Sequence, residues 1–421
     1  MIFITGASVL TPSGIERASV LIDGDIIVSV GDIGAGNGSK VIDARGAWVG
    51  PGLVDLHVHF RDPGETWKED LETGARSAAA GGYTAVVTMP NTDPPIDDGR
   101  RAREAISRAS GIGTVHVGVA GALTRDRAGR QMSDLDGMYE AGIRMFTDDG
   151  DAVPETGLLR SIMSYLIDLP GAFVAEHPED RSVTLDGHIN EGPMSVMHGV
   201  VGLPGIAEDV IVSRDISIAR DTGGRLHIQH VSTQSSVEHI RQARLAGVKV
   251  SSEVTPHHLA LDETALAELD PNLKMYPPLR SAGDREAVTT GLRQGVIDAV
   301  ATDHAPHTVA EKAVPFEEAP RGVIGLETAA AVASGALGRD QAVFFDRMST
   351  APARIAGLAR HGMAVEPGAP ANLVVYDPER AWIPGAFASK SANSPFTGME
   401  LTGRVLATIH EGRISYEGSQ G

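Results

Sequence analysis

The chain has 421 residues, of which 42% are hydrophobic and 22% charged, as in an ordinary soluble globular protein. It contains no cysteine, so disulfides and thiolate metal ligands are excluded, and any metal must be held by His, Asp or Glu. A formal net charge of -19 argues against a nucleic-acid partner or an anionic-membrane surface. If the substrate is an anion, specific arginines in the site must overcome this field.

The first residues, MIFITGASVLTP, predict a β-strand because they lack the basic segment and long apolar run of a signal peptide. No stretch of the sequence is apolar for the roughly 20 residues that a membrane span needs. We therefore expect a cytoplasmic protein that does not cross a membrane.

Both ends of the chain are rich in short β-strand patterns broken by glycine. Residues 2–4, 19–22 and 26–30 have this character near the start, and residues 371–376 and 404–409 have it near the end. Two similar ends around a different middle predict one small β-sandwich domain formed by both termini, from residues 1–50 and 361–421.

Residues 51–360 follow another pattern, in which short apolar strands alternate with longer helical stretches. The predicted strands cover residues 54–59, 84–89, 114–119, 144–147, 173–176, 226–230, 249–254 and 299–302. About eight such repeats in 300 residues are typical of the α/β class and predict a parallel (β/α)8 TIM-like barrel.

Polar residues stand at the ends of five predicted barrel strands, where the catalytic groups of such barrels gather. His57 and His59 close the first strand, and alternation along a strand points both imidazoles into the barrel mouth. The other four ends carry Asp148 with Asp149, His177, His230, and Asp303. This coincidence predicts a metal site, and its imidazole and carboxylate ligands suit zinc or a similar divalent ion.

At these positions the chain resembles a known family, the class I dihydroorotases of the amidohydrolase superfamily. The resemblance starts from PGLVDLHVHFRDPG at residues 51–64 and extends in order over essentially the whole chain. The further motifs are MPNT within 88–92, EVTPHHL at 253–259, ATDHAPH at 301–307, GLET at 325–328 and SPFTG at 394–398.

Carried over by matching position, the resemblance implies one or two zinc ions per chain. His57 and His59 would bind the first, and Asp149 would bridge to a second held by His177 and His230. Asp303 would ligate the first ion and act as general base and acid. Asp148 remains an alternative to Asp149 for the bridge, although the spacing to Asn91 favours Asp149.

The resemblance also implies a substrate site, in which Arg61, Asn91 and His307 bind a carboxylate and a ring. Two further positions, which lie near the substrate in relatives, depart from the family pattern. Tyr276 stands where the family usually has asparagine, and Arg321, next to Gly322, stands where it often has an apolar residue. We expect all three of these residues near the substrate. Arg321 either contacts an anionic ligand or faces the solvent, and we slightly favour the solvent.

Hydantoinases, allantoinases and many dihydroorotases bridge their metals with a carboxylated lysine. This chain has no lysine between Lys68 and Lys249, the interval in which that residue would lie. The bridge must then be a plain carboxylate. This indicates the Asp-bridged bacterial dihydroorotases and weighs against the other two enzymes.

The function that the resemblance implies is the reversible cyclisation of N-carbamoyl-L-aspartate to dihydroorotate in pyrimidine biosynthesis. Two alternatives stay open: an allantoinase- or hydantoinase-like enzyme with an Asp bridge, and a non-catalytic dihydroorotase-like subunit of aspartate carbamoyltransferase. Besides its small-molecule substrate, we expect a homodimer and consider aspartate carbamoyltransferase as a further partner. Residues 150–156 and 312–320 are candidate lids because glycine or proline interrupts them after catalytic strands.

Overall fold

The computed structural model describes residues 1–36, 38–184 and 186–418. The strands, in chain order, are β1 (Ile2–Thr11), β2 (Gly14–Asp23), β3 (Ile26–Gly31), β4 (Lys40–Asp43), β5 (Trp48–Pro51), β6 (Leu53–Val58), β7 (Tyr83–Thr88), β8 (His116–Val119), β9 (Met145–Phe146), β10 (Phe173–Glu176), β11 (Ile189–Asn190), β12 (Gly202–Leu203), β13 (Leu226–Ile228), β14 (Val250–Val254), β15 (Ala299–Val300), β16 (Leu373–Trp382), β17 (Leu401–His410) and β18 (Arg413–Glu417).

The α-helices are α1 (Leu71–Ala80), α2 (Gly99–Ala109), α3 (Leu135–Ala141), α4 (Thr156–Leu166), α5 (Arg181–Thr184), α6 (Pro193–His198), α7 (Ile206–Thr222), α8 (Gln234–Leu245), α9 (Pro256–Ala260), α10 (Ala282–Gln294), α11 (Val309–Lys312), α12 (Leu326–Ala336), α13 (Gln341–Phe345) and α14 (Ala351–Ala356). Among the described residues, no helix has both the length and the apolar character that crossing a bilayer requires.

In the described part of the chain, eight parallel strands form a closed ring in the order β6, β7, β8, β9, β10, β13, β14, β15. An isolated bridge between Gly121 and Phe146 joins the three-stranded sheet to β9, and another between Val58 and His304 joins β6 to the segment after β15. This closure confirms the predicted (β/α)8 barrel and brings the carboxyl ends of all its strands to one mouth.

Helices pack around the ring through small and branched apolar side chains. Ala75 and Ala78 of α1, Ile240 of α8 and Leu292 of α10 belong to one buried cluster with barrel residues such as Val174. A polar cap starts many of these helices; Asp70, for example, accepts a hydrogen bond from the backbone N–H of Thr73 at 2.8 Å. The alternation of buried strands and capped helices therefore follows directly from the sequence pattern.

Both ends of the chain share one β domain, as predicted. In the described residues its strands run in the order β18, β17, β16, β5, β1, β2, β3, with β4 also paired to β1. The antiparallel pairing of β16 with β5 sets Leu373 opposite Pro51 and joins the two termini. Ile4, Val20 and Ile409 are among the residues of its own apolar core.

The boundaries at residues 50/51 and 360/361 remain our proposal for the division into domains. The first is supported by the change from the β domain to the barrel between β5 and β6. The second lies in the connection between α14 and β16. Residues 419–421 of the proposed last segment lie outside the described residues.

Candidate metal centre

The two histidines at the end of β6 meet acidic side chains from distant strands. His57 Nε2 lies 3.1 Å from Asp149 Oδ1 and 3.5 Å from Asp303 Oδ1. His59 Nε2 lies 2.9 Å from Asp303 Oδ1 and 3.4 Å from Asp149 Oδ2. The structure therefore gathers the carboxyl ends of β6, β9 and β15 in one cluster.

A second pair of histidines faces the same aspartate. His177 Nδ1 lies 2.8 Å from His230 Nε2, and these two atoms lie 3.8 and 3.9 Å from Asp149 Oδ1. Asp149 thus stands between the pair from β6 and the pair that follows β10 and β13. This is the position that a bridging carboxylate requires, and the bridging role itself stays a prediction.

Asp148 has different surroundings from its neighbour Asp149. Its Oδ1 accepts hydrogen bonds from the backbone N–H groups of Leu123 and Thr124 at 2.8 and 3.0 Å, and its other oxygen accepts one from the Thr124 hydroxyl. These bonds use the carboxylate to hold the turn after β8. Of the two residues that the sequence left open, only Asp149 lies against the histidines.

The cluster fits a divalent cation because it contains polar atoms that nothing in the described structure satisfies. His57 Nε2 and Asp149 Oδ1 are both buried and lack a hydrogen-bond partner. Ligand atoms of His57, His59 and Asp303 lie within 4.8 Å of one another, and so do those of His57, Asp149 and His230. Leaving such atoms unpaired in a buried site is costly, whereas a cation between them would satisfy both.

Electrostatics in the cluster set the proton positions. Burial by itself would raise the pKa of the Asp149 carboxyl, but His57 and His177 hold it well below its ordinary value. Burial, together with the charges of His177 and His57, lowers the pKa of His230 far below the ordinary value, so His230 is neutral. Asp149 and Asp303 overcome burial and raise the pKa of His57. A cation that bound His57 would therefore displace a proton.

Glu253, at the end of β14, is a functional candidate that sequence reasoning missed. Its Oε1 accepts a hydrogen bond from His57 Nδ1 at 2.8 Å, and its Oε2 lies 3.0 Å from His227 Nε2. A carboxylate on Nδ1 fixes the imidazole so that Nε2 faces the cluster, as is common for metal-binding histidines. The available signal was its position as an acid near the end of a barrel strand and as the first residue of the EVTPHHL motif.

Three residues of the site leave their strands in an unusual backbone conformation. Arg61, His230 and Asp303 have φ values of 57°, 32° and 46° although none is glycine. Positive φ is strained for such side chains and persists where the surrounding structure enforces it, which is frequent at functional sites. The conformation turns His230 and Asp303 toward the cluster immediately after β13 and β15.

A cleft of about 150 Å³ opens above the cluster. Besides the cluster itself, the predicted substrate residues in its lining are Arg61, Asn91, Tyr276, Arg321 and Gly322. Asn91 also accepts a hydrogen bond from His59 Nδ1 at 2.9 Å, so it orients a predicted metal ligand.

His307 is the predicted substrate residue that the described cleft lining does not include. Its Nε2 donates to the backbone carbonyl of Arg321 at 2.8 Å, and its Nδ1 is buried with no hydrogen-bond partner in the described part of the chain. Burial and the charge of Arg61 lower the pKa of His307 to about 3, so the ring is neutral. It supports the wall that carries Arg321 and Gly322.

The interpretation of Arg321 as simply solvent-facing is wrong. Its guanidinium carbon lies 4.0 Å from the centre of the Tyr276 ring, and Nη2 donates to the carbonyl of Gly187 at 2.6 Å. Stacking on an aromatic face holds a guanidinium that would otherwise extend into solvent. The two departures from the family pattern are thus in contact.

A parallel barrel whose strand ends gather histidines and aspartates around a small polar cleft defines a metal-dependent cyclic amidohydrolase. Comparison with known families supports this class. The amidohydrolase family model matches residues 172–415, and the dihydro-orotase-like model matches residues 46–236.

Relatives of this chain identify the family within the class of amidohydrolases. The chain is 42% identical to a dihydroorotase of Desulforapulum autotrophicum and 43% identical to one of Pelotomaculum thermopropionicum, in each case over 98% of both chains. A dihydroorotase of Mycobacterium bovis is 43% identical over 95% of both chains. The chain belongs to the dihydroorotase family, and the predicted resemblance is confirmed.

Solved structures agree on the architecture. An L-hydantoinase from Arthrobacter aurescens is similar with a TM-score of 0.88 and 25% identity, and the match covers 99% of this chain and 96% of that one. A dihydropyrimidinase from Brevibacillus agri has a TM-score of 0.84 at 24% identity, over 98% and 94% of the chains. Barrel and β domain are therefore shared with these enzymes, while sequence identity is much higher to the dihydroorotases.

Proposed function

We propose that the chain is a dihydroorotase that interconverts N-carbamoyl-L-aspartate and dihydroorotate. The observation that carries the substrate assignment is Arg61, which lies in a wall of the cleft and whose Nε is buried without a hydrogen-bond partner among the described residues. A buried, unpaired guanidinium is matched by a carboxylate, which both of these substrates have and an unsubstituted hydantoin lacks.

The chain would hold up to two divalent ions, and zinc suits this donor set. His57, His59 and Asp303 would bind one, His177 and His230 the other, and Asp149 would lie between them. Bound divalent ions lower the pKa of water and polarise an amide carbonyl. The neutral state of His230 leaves a nitrogen lone pair for such an ion.

Asp303 would move the proton. Its Oδ1 lies 2.9 Å from His59 Nε2 at the floor of the cleft. In hydrolysis it accepts a proton from the attacking water and gives it to the ring nitrogen as the carbon–nitrogen bond breaks. The new carboxylic acid then ionises. In the biosynthetic direction the reacting carboxylate of the substrate first takes up a proton from solvent. Asp303 then accepts a proton from the attacking ureido nitrogen and gives it to the departing hydroxide, so that the ring closes with loss of water.

Arg61, Asn91 and His307 would fix the remaining carboxylate and the ring. Arg61 offers a planar fork of N–H donors, and its charge already acts on the neighbouring His307. The side-chain amide of Asn91 lies in the cleft wall beside His59. Tyr276, Arg321 and Gly322 complete the enclosure on the side of His177.

The test of this function is a substrate panel on purified, zinc-loaded protein. Turnover of both N-carbamoyl-L-aspartate and dihydroorotate is expected. Turnover of a hydantoin or of allantoin without turnover of dihydroorotate would replace the substrate assignment with the alternative amidohydrolase. Full zinc content with no turnover of any of these compounds would favour the non-catalytic subunit.

Asp303→Asn tests the proton role. We expect kcat to fall by about 10²–10⁴-fold, because the amide cannot accept the proton. Metal content must be measured alongside, since Asp303 is also a proposed ligand. Asp221→Asn, at an exposed ion pair with Arg160, is the matched control. Full activity in a zinc-loaded Asp303→Asn protein would contradict the assignment.

We also carry forward three expectations as proposals: a cytoplasmic location, a homodimer, and an association with aspartate carbamoyltransferase. Their support is the family resemblance. Analytical ultracentrifugation of the purified chain, alone and with that transferase, tests the dimer and the association. A monomer at micromolar concentration would contradict the homodimer.

A further inference from the structure

Three side chains form a stack at one side of the cleft. The rings of His177 and Tyr276 have centroids 5.2 Å apart and planes inclined by 32°, and the Arg321 guanidinium lies on Tyr276. His177 in turn contacts His230 and lies 3.8 Å from Asp149. The stack therefore places Arg321 on the side of the cleft formed by the second histidine pair.

The Arg321 guanidinium has unused hydrogen-bond donors. Its side chain makes a hydrogen bond to Gly187, which uses one of its five N–H groups. Neither Arg321 nor Arg61 forms an ion pair with a carboxylate of the described residues. Two unpaired guanidiniums in one cleft indicate a ligand with two anionic groups.

The two proposed substrates differ in their number of anionic groups. N-carbamoyl-L-aspartate has two carboxylates, whereas dihydroorotate keeps one, because ring closure converts the other into an amide. The carboxylate that reacts must reach the cluster of Asp149, His177 and His230. Arg321 is the guanidinium on that side, and Arg61 remains for the carboxylate that both compounds share.

We propose that Arg321, held by Tyr276, is a specificity residue that binds the reacting carboxylate of the open-chain substrate and not the neutral amide of the ring. The proposal rests on the dihydroorotase function proposed above. It assigns a role to a contact between the two positions at which this chain departs from the family pattern.

The test is steady-state kinetics of Arg321→Gln in both directions. The equilibrium constant fixes the ratio of the two kcat/KM values, so both must fall by the same factor, which we expect to be about tenfold. For N-carbamoyl-L-aspartate the loss should appear in KM with kcat unchanged. For dihydroorotate it should appear in kcat with KM unchanged, because only the transition state then loses the contact.

Two further variants control the experiment. Arg339→Gln removes one positive charge at an exposed ion pair with Glu379 and should leave all constants unchanged. Arg321→Lys keeps the charge without the planar fork and should lose less than Arg321→Gln. Zinc content should equal that of the wild type in every variant.

Other outcomes would overturn the proposal. Equal increases of KM for both substrates would place Arg321 on the group that they share. A fall of kcat in both directions with reduced zinc content would make the residue a support of His177 only. Unchanged kcat and KM values in Arg321→Gln would show that Arg321 does not contribute to substrate binding or turnover. If the wild-type protein converts neither substrate, the proposed function itself fails.

Discussion

Glu253 shows how much of this site depends on a single buried side chain. It contacts His57 and His227 at once, and the hydrogen bonds with these two imidazoles outweigh burial and lower its pKa to about 2. The carboxylate is therefore ionised and accepts the His57 N–H. With Nδ1 fixed in this way, the lone pair of His57 Nε2 can face a cation between Asp149 and Asp303.

Glu253→Gln is expected to weaken zinc binding by about 10–100-fold, because the amide does not enforce the same imidazole orientation and lacks the charge. Competition with a chromophoric chelator measures the affinity without any activity assay. Glu238→Gln, on the exposed face of α8, is the control. An unchanged zinc affinity would mean that His57 is oriented by other contacts, such as the one from Gln229.

The loop 312–320 illustrates a limit of prediction at the scale of elements. Its two prolines and its position after a catalytic strand indicate a lid. In the structure Lys312 Nζ donates to the carbonyls of Pro271, Lys274 and Pro320 at 2.9, 3.3 and 2.8 Å. These bonds anchor the loop beside the segment that leads to Tyr276. The sequence could not reveal them because the acceptors are backbone atoms, two of which lie about 40 residues away.

The Lys312 anchor should make stability depend on pH. Burial lowers its pKa to about 7, against 10.5 as the ordinary value. Between these values the unfolded chain binds the proton that the folded chain releases, so the free energy of unfolding rises with pH, by up to about 1.4 kcal/mol per pH unit from this group. Lys312→Met should reduce that rise between pH 7 and 10, as measured by denaturant unfolding.

Lys249→Met removes a lysine that also donates to a backbone carbonyl, but at the surface, and serves as control. The proteins are compared by the slope of the free energy of unfolding against pH. The absolute free energy is not compared, because Lys312→Met also removes three hydrogen bonds and shifts it. Equal slopes in wild type and Lys312→Met would show that the buried lysine keeps its ordinary pKa.

At the scale of the whole molecule, the barrel brings distant parts of the chain together at the metal centre. Side chains from the ends of five barrel strands contribute to the cluster, and a cation there would join these strand ends directly. The overall charge of -19 favours a cation in general but opposes an anionic substrate. The unpaired arginines of the cleft therefore have to provide local attraction.

Removal of metal by a chelator should lower Tm, because an ion that binds only the folded state stabilises it by about 2.7 kcal/mol at a free concentration of 100 Kd. Zinc added back in carbon-dioxide-free buffer should restore Tm and activity completely, since the proposed bridge, Asp149, is a plain carboxylate that needs no carboxylation. A requirement for bicarbonate would contradict the plain carboxylate bridge. In His57→Asn protein the chelator should change Tm much less.

The barrel, the β domain formed by both ends of the chain and the residue types of the metal centre could be predicted without a structure. Strand alternation, helix periodicity and capping are local properties, and residues 69–248, the interval in which the family resemblance places a carboxylated lysine, contain no lysine. Which of the candidate side chains meet in the site depends on the folded structure. Asp149 rather than Asp148 faces the histidines, Glu253 reaches His57 across 196 residues, and Arg321 stacks on Tyr276. Such contacts depend on the direction of side chains at strand ends, and only the closed barrel fixes that direction.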